Sequence, residues 1–195
     1  MKINFSKNKA FTLVEIMVAT SIFMIIMLMS LAALITTSDT AKKSQALRSA
    51  MDNVNFAMES MTRSLRMGRD YTCVASSSGV SLPASANADC PISSSGGGAI
   101  IFTPTGHDAT PRDSAYMVTA RGDGTNVLQY CTTTSCVDMV STNVDIQYLK
   151  FYVNGSDVAD KIQPSAYIVM KGVVVVKGVP KTFAIQTMAS QRPGE

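Results

Sequence analysis

The chain has 195 residues, enough for one domain and one modest core, and a formal net charge of +3. Three lysines, Lys2, Lys7 and Lys9, precede the first apolar run; the remaining basic and acidic residues balance at 14 each, so the charge gives no support to nucleic-acid binding. A single histidine, His107, and the lack of any CxxC pair argue against a zinc centre, and no cofactor or metal is expected.

Residues 1–10 read as a short basic leader with no acid, and lie outside fold reasoning. Residues 11–35 follow as an apolar run with one charge, Glu15. A helix crosses a bilayer with roughly 20 apolar residues, so the run is long enough to span. Lysines before it set the N-terminus in the cytoplasm and the rest of the chain outside. A carboxylate inside such a helix is costly by a few kcal/mol, about 2.5–3.5 on the lenient insertion scale, and stands as a functional residue. The bland alternative has Glu15 reaching the headgroups or protonated.

Lys9-Ala10-Phe11-Thr12-Leu13-Val14-Glu15-Ile16 resembles the N-terminal signal of type IV pilins and pseudopilins. The resemblance implies cleavage between Ala10 and Phe11 by a prepilin peptidase, N-methylation of Phe11, and a role for Glu15 in docking the subunit into a growing filament. It also implies an inner-membrane assembly platform and other pilin or pseudopilin subunits as partners. The family usually carries Gly before the cut; Ala10 is a small residue that suits a tight peptidase site. A carboxylate buried among bundled helices needs a partner, and the α-amine of a neighbouring subunit's Phe11 is a candidate. The competing reading is an ordinary secretory signal cut near Ser30 and Ala32; the length of the run and Glu15 argue against it.

Residues 36–68 continue as the amphipathic half of one helix. Leu47, Met51, Val54, Met58, Met61 and Leu65 fall on one face at alternating spacings of three and four, the face expected to pack on a sheet. No Pro or Gly interrupts residues 11–67, and Gly68 is an end signal. Residues 11–68 as one helix would measure about 87 Å at about 1.5 Å per residue. Arg63, Arg66 and Arg69 form a basic patch at its end, read as a solvated face in preference to a site for DNA or a partner's acids. Asn55 to Arg66 resembles, more loosely, the helix end of J-type minor pseudopilins and larger minor pilins.

The remainder, residues 69–195, is expected to be a β-rich globular domain. Residues 76–98, rich in Ser, Gly and Ala, read as a long flexible loop; no Lys-Ser/Thr and helix follow Gly96-Gly97-Gly98, which excludes a phosphate cradle. Candidate strands are 99–103, 115–120, 126–131, 136–140, 144–153, 166–177 and 181–190, separated by turn signals such as Gly122-Asp123-Gly124. The four-valine run 173–176 suits either a strand buried on both faces or an edge guarded by Lys171, Lys177 and Pro180. The last stretch, Phe183 to Arg192, resembles the final strand of the J-type minor pseudopilins.

Four cysteines, Cys73, Cys90, Cys131 and Cys136, suggest two disulfides in an exported domain. Three pairings are open; Cys73–Cys90 and Cys131–Cys136 each close a local loop and are preferred, with free buried thiols the alternative. His107 reads as a loop residue, since no GxSxG elbow accompanies it. Asp157 and Asp160 lack EF-hand spacing and read as solvated turn acids. Arg121-Gly122-Asp123 spells an adhesion tripeptide at an expected hairpin turn.

The expected fold is α+β and pilin-like: a long N-terminal helix, its first half transmembrane, packed on an antiparallel sheet. The expected function is structural, not enzymatic: a minor pilin or pseudopilin of a type IV pilus or type II secretion pseudopilus that starts or caps a filament. In this family the tip subunit of type II secretion lacks the mature Glu, so Glu15 argues against that role. The alternatives are a tip binding module, adhesin or DNA receptor, and a secreted protein behind an ordinary signal.

Overall fold

The structure is a computed structural model and describes residues 10–82, 84, 86–106, 112–157 and 161–192. The leader residues 1–9, His107 and Asp160 therefore lie outside the described residues. The chain divides into two units, residues 1–45 and 46–195, and α1, Leu13–Met67, contributes to both.

In the first unit α1 is apolar and exposed throughout residues 13–38. Phe23, Ile26, Leu28 and Leu34 each keep more than half of their surface open to the surroundings. Helical hydrogen bonding satisfies the backbone, which lets such a segment lie in an apolar medium. It is long and apolar enough to cross a membrane.

In the second unit, the stripe anticipated on α1 meets the sheets. Val54, Met58, Met61 and Leu65 are buried, joined by Ala50 and Ala57, while Leu47 and Met51 are partly buried against the same core. The strands are β1 (Arg69–Val74), β2 (Ala99–Thr103), β3 (Ser114–Ala120), β4 (Asn126–Thr132), β5 (Cys136–Asp138), β6 (Val144–Asn154), β7 (Ser165–Val176) and β8 (Val179–Ser190). They form an antiparallel five-stranded sheet in the order β1-β2-β3-β4-β5 and an antiparallel three-stranded sheet in the order β6-β7-β8. The fold is thus α+β, with a long helix on antiparallel sheets, but the single sheet expected from sequence is two.

Residues 76–98, read from composition as a flexible loop, hold no strand among their described residues beyond isolated bridges. Residues 88–97 are laced between β1 and β6 by backbone hydrogen bonds: Cys73 N to Ala88 O at 2.8 Å, Cys90 N to Val153 O at 3.0 Å and Gly97 N to Phe151 O at 2.8 Å. Asp89 adds its carboxylate, which accepts from Gly155 N at 3.1 Å and Ser156 N at 3.0 Å. Gly97 is buried here because nothing larger fits: a Cβ would overlap Cys73 Sγ and stand 2.9 Å from Val74 O. The glycine serves close approach, not freedom.

Gly68 follows the same logic. The helix ends before it, but Gly68 is not left-handed; an added Cβ would lie 2.7 Å from Phe102 Cδ2, so its bareness admits β2. The four-valine run is likewise neither of the expected cases. β7 is the central strand of its sheet, and its valines alternate: Val174 and Val176 buried, Val175 46 % exposed.

Candidate functional site

The candidate site is the start of α1. Ala10 and Phe11 are irregular and exposed, with Phe11 at 75 % exposure, so the bond between them lies outside the helix and open to a peptidase. Thr12 caps the helix: its hydroxyl accepts from Glu15 N at 3.3 Å and its carbonyl accepts from Ile16 N at 3.2 Å. Glu15 stands in the first turn, three residues on, the spacing of a capping box. A negative charge there also suits the positive end of the helix dipole. Sequence reasoning missed the part played by Thr12, although Thr-x-x-Glu before an apolar run is its signal.

The other polar side chains of the apolar run look after themselves. The hydroxyls of Thr20, Ser21 and Ser30 donate to carbonyls one turn back, Thr20 to Ile16 O at 3.0 Å, Ser21 to Met17 O at 2.7 Å and Ser30 to Ile26 O at 2.8 Å. The carboxylate of Glu15 has no such partner among the described residues. In an apolar surrounding a carboxylate without a partner is costly.

The remaining sequence features sort differently. The Arg121 guanidinium turns inward, donating to Val140 O at 3.2 Å and Val144 O at 3.4 Å and pairing with Asp138 at 3.6 Å. Asp123 accepts from Thr125 N at 2.9 Å and Oγ1 at 2.6 Å, and these bonds hold its carboxyl below the usual carboxylate range. The tripeptide at 121–123 therefore builds its own turn and does not present an arginine. Arg63 pairs with Glu59 at 3.1 Å and Arg69 with Asp70 at 3.7 Å, which breaks up the basic patch at the helix end.

The cysteines stand as two disulfide pairs, Cys73–Cys90 and Cys131–Cys136, with Sγ atoms 1.98 Å and 2.02 Å apart. Among the described residues no three His, Cys, Asp or Glu side chains gather to hold a metal. An open cleft of about 450 Å³ lies between the start of β1, residues 155–157 and 161–164, and residues 191–192; Arg69, Asp70, Lys161 and Arg192 line it with charges of both signs.

Residues 5–31 match the model of the prokaryotic N-terminal methylation motif. No curated protein and no solved structure matches the chain. The match supports a processed subunit of the type IV pilin and pseudopilin class, anchored in the membrane through its N-terminal helix, with a structural rather than an enzymatic role.

Proposed function

We propose that the chain is a minor subunit of a type IV pilus or type II secretion pseudopilus that helps to start or cap the filament. A prepilin peptidase removes residues 1–10, and the new α-amine of Phe11 is methylated. The helix holds the subunit in the inner membrane, with the globular unit outside the cytoplasm, until the assembly platform moves it into a filament beside other subunits.

The observation that carries this reading is the unpartnered carboxylate of Glu15 inside the matched motif. Every hydroxyl in the apolar run is satisfied within the helix; Glu15 is complete only beside a donor from another chain, and the α-amine of a neighbour's Phe11 is a fitting one. The size of the globular unit and the J-like segments at 55–66 and 183–192 support a minor role.

N-terminal mass spectrometry of the membrane-fraction protein tests the reading. The expected mature chain begins at methylated Phe11. A chain beginning after Ala32 would overturn the proposal in favour of an ordinary secretory signal, and an uncut Met1 chain would leave a plain membrane-anchored domain.

A further inference from the structure

Asn154-Gly155 is the one Asn-Gly pair in the chain. It stands where β6 ends: Asn154 is the last residue of the strand, paired with Ser165 on β7, and is exposed. Gly155 turns the chain with a φ of +74°, and Gly155 and Ser156 are both buried. An Asn followed by a glycine is a reactive pair. The glycine nitrogen, with no side chain to hinder it, can attack the Asn carboxamide and close a five-membered ring.

The fold holds the attacking atom away from that reaction. Asp89 accepts from Gly155 N at 3.1 Å and from Ser156 N at 3.0 Å, and the Ser156 hydroxyl donates to the same carboxylate. Asn87 Nδ2 donates to Ser156 O at 2.7 Å, and Cys90 exchanges two backbone bonds with Val153, at 3.0 Å and 2.9 Å. A nitrogen whose proton is held by a carboxylate has to break that bond, and shed the proton beside a negative charge, before it can attack. Ring closure also turns the Asn154 Cα–C bond away from the extended geometry of a ladder residue. Residues 87–90, which make this clamp, are tied to β1 by Cys73–Cys90. Without the bridge, non-covalent contacts alone keep them in place.

We propose that Asn154 is a latent self-modification site, kept closed by the Asp89 clamp and opened when the Cys73–Cys90 bridge is missing. In an opened chain Gly155 N bonds to Asn154 Cγ and the bond from Cγ to the amide nitrogen breaks. That nitrogen leaves as ammonia, with the proton given up by Gly155. Water then opens the ring on either side and leaves Asp at 154 or its β-linked isomer; the balance is one water in and one ammonia out. Either product opposes reclosing. Asp at 154 adds a second negative charge next to the N–H groups that Asp89 grips. The β-linked isomer carries an extra methylene in the main chain, which shifts those N–H groups out of register with Asp89. The modification is thus a one-way record that a chain stood unbridged. It involves the globular unit alone and is independent of the filament reading.

Peptide mapping of the full chain after incubation in detergent at mildly alkaline pH tests the proposal, with a gain of about 1 Da at residue 154 as the readout. The oxidised chain is expected to convert at least about ten-fold more slowly than the same chain in guanidinium, since modification tracks the open population. Equal rates would show that nothing clamps the pair. Cys73→Ala with Cys90→Ala is expected to convert at least about five-fold faster than the oxidised parent, with the amides of β2 still protected from hydrogen exchange. The parent rate in that variant, or loss of protection in β2, would overturn local gating by the bridge. Asp89→Ala is also expected to convert at least about five-fold faster, while Ser156→Ala, which leaves both N–H bonds to Asp89 in place, stays within about two-fold of the parent. Equal acceleration in the two would overturn the role of Asp89. If Asp89→Ala loses protection in β2 and so unfolds as a whole, the Gly155 amide of the parent decides. Exchange there at least about ten-fold slower than in the denatured chain upholds the clamp, and unprotected exchange overturns it.

Discussion

The two roles proposed for Glu15 cannot be separated by one substitution but can by two. As the third residue of a capped helix it supports the helix start, and under the proposed function its carboxylate also offers charge to a neighbour. Gln serves a capping box as Glu does, but brings no charge. We therefore expect Glu15→Gln to be as poor at filament incorporation as Glu15→Ala, with leader cleavage intact in both. Incorporation of the Gln variant at the normal level, scored by immunoblot of sheared filaments, would reduce Glu15 to a cap. Gly97 is the second residue where a single atom decides. A methyl group there has to displace the Cys73 sulfur or the β1 backbone, which costs about 1–3 kcal/mol as overpacking. Gly122 has open space around it and no left-handed backbone, so Gly122→Ala is the matched control, expected within about 0.5 kcal/mol of the parent. Denaturant midpoints of the two variants measure the difference.

At the scale of elements, the join between α1 and β1 is held by Tyr71, whose phenol is fully buried and donates to Leu65 O at the helix end. Burial pushes the Tyr71 phenol well above its ordinary range, and burial likewise raises Tyr116 on β3. The sign follows from linkage. Below about pH 10 both folded and unfolded phenols are protonated and stability does not depend on them. Above it the unfolded chain loses protons that the folded chain keeps, so stability falls as pH rises. Guanidinium midpoints are expected to hold to about pH 9 and drop by about pH 11, with a shallower drop in Tyr71→Phe. A flat profile would contradict the burial argument.

The legibility of elements from sequence divides along the same line. Strands β2 to β8 were readable because each shows a local apolar pattern between turn signals, and the α1 stripe was readable because its spacing is local too. β1 was missed: it starts immediately after the helix with Arg69-Asp70, and only Tyr71, Thr72 and Val74 mark it as strand. The split into two sheets was not readable, since partners such as Gly97 and Phe151 lie far apart in the chain. The proposed site is local in the opposite way. Ala10, Phe11, Thr12 and Glu15 fall within six consecutive residues, and reading them needs no distant contact, although the capping by Thr12 was overlooked. The inward turn of Arg121 depends on the carbonyls of Val140 and Val144, 19 and 23 residues further along the chain, and the tripeptide alone gives no hint of it.

For the molecule as a whole, the disulfides act at different strengths. Loop-closure entropy scales with the residues enclosed, and the separations are 17 for Cys73–Cys90 and 5 for Cys131–Cys136. Replacing both cysteines by Ala is expected to cost about 3 kcal/mol for the first pair and about 2 kcal/mol for the second. The gap should widen in practice, because the first bridge also fixes the strip between β1 and β6 to which Gly97 is fitted. Equal losses in thermal unfolding, or a larger loss at Cys131–Cys136, would show that the laced strip contributes little.

Those same two bridges have a mechanical meaning. Both close short loops, so no covalent cross-link runs from the helix to the end of the chain; Arg192 N to Arg66 O, at 2.9 Å, and side-chain packing are what join them. A pull between α1 and the C-terminal strand would open the unit by peeling, and the bridges would withhold about 70–80 Å of contour length at about 3.5 Å per enclosed residue. The bridged domain would thus give way under load yet remain shorter, and quicker to rewind, than the same chain with its thiols reduced.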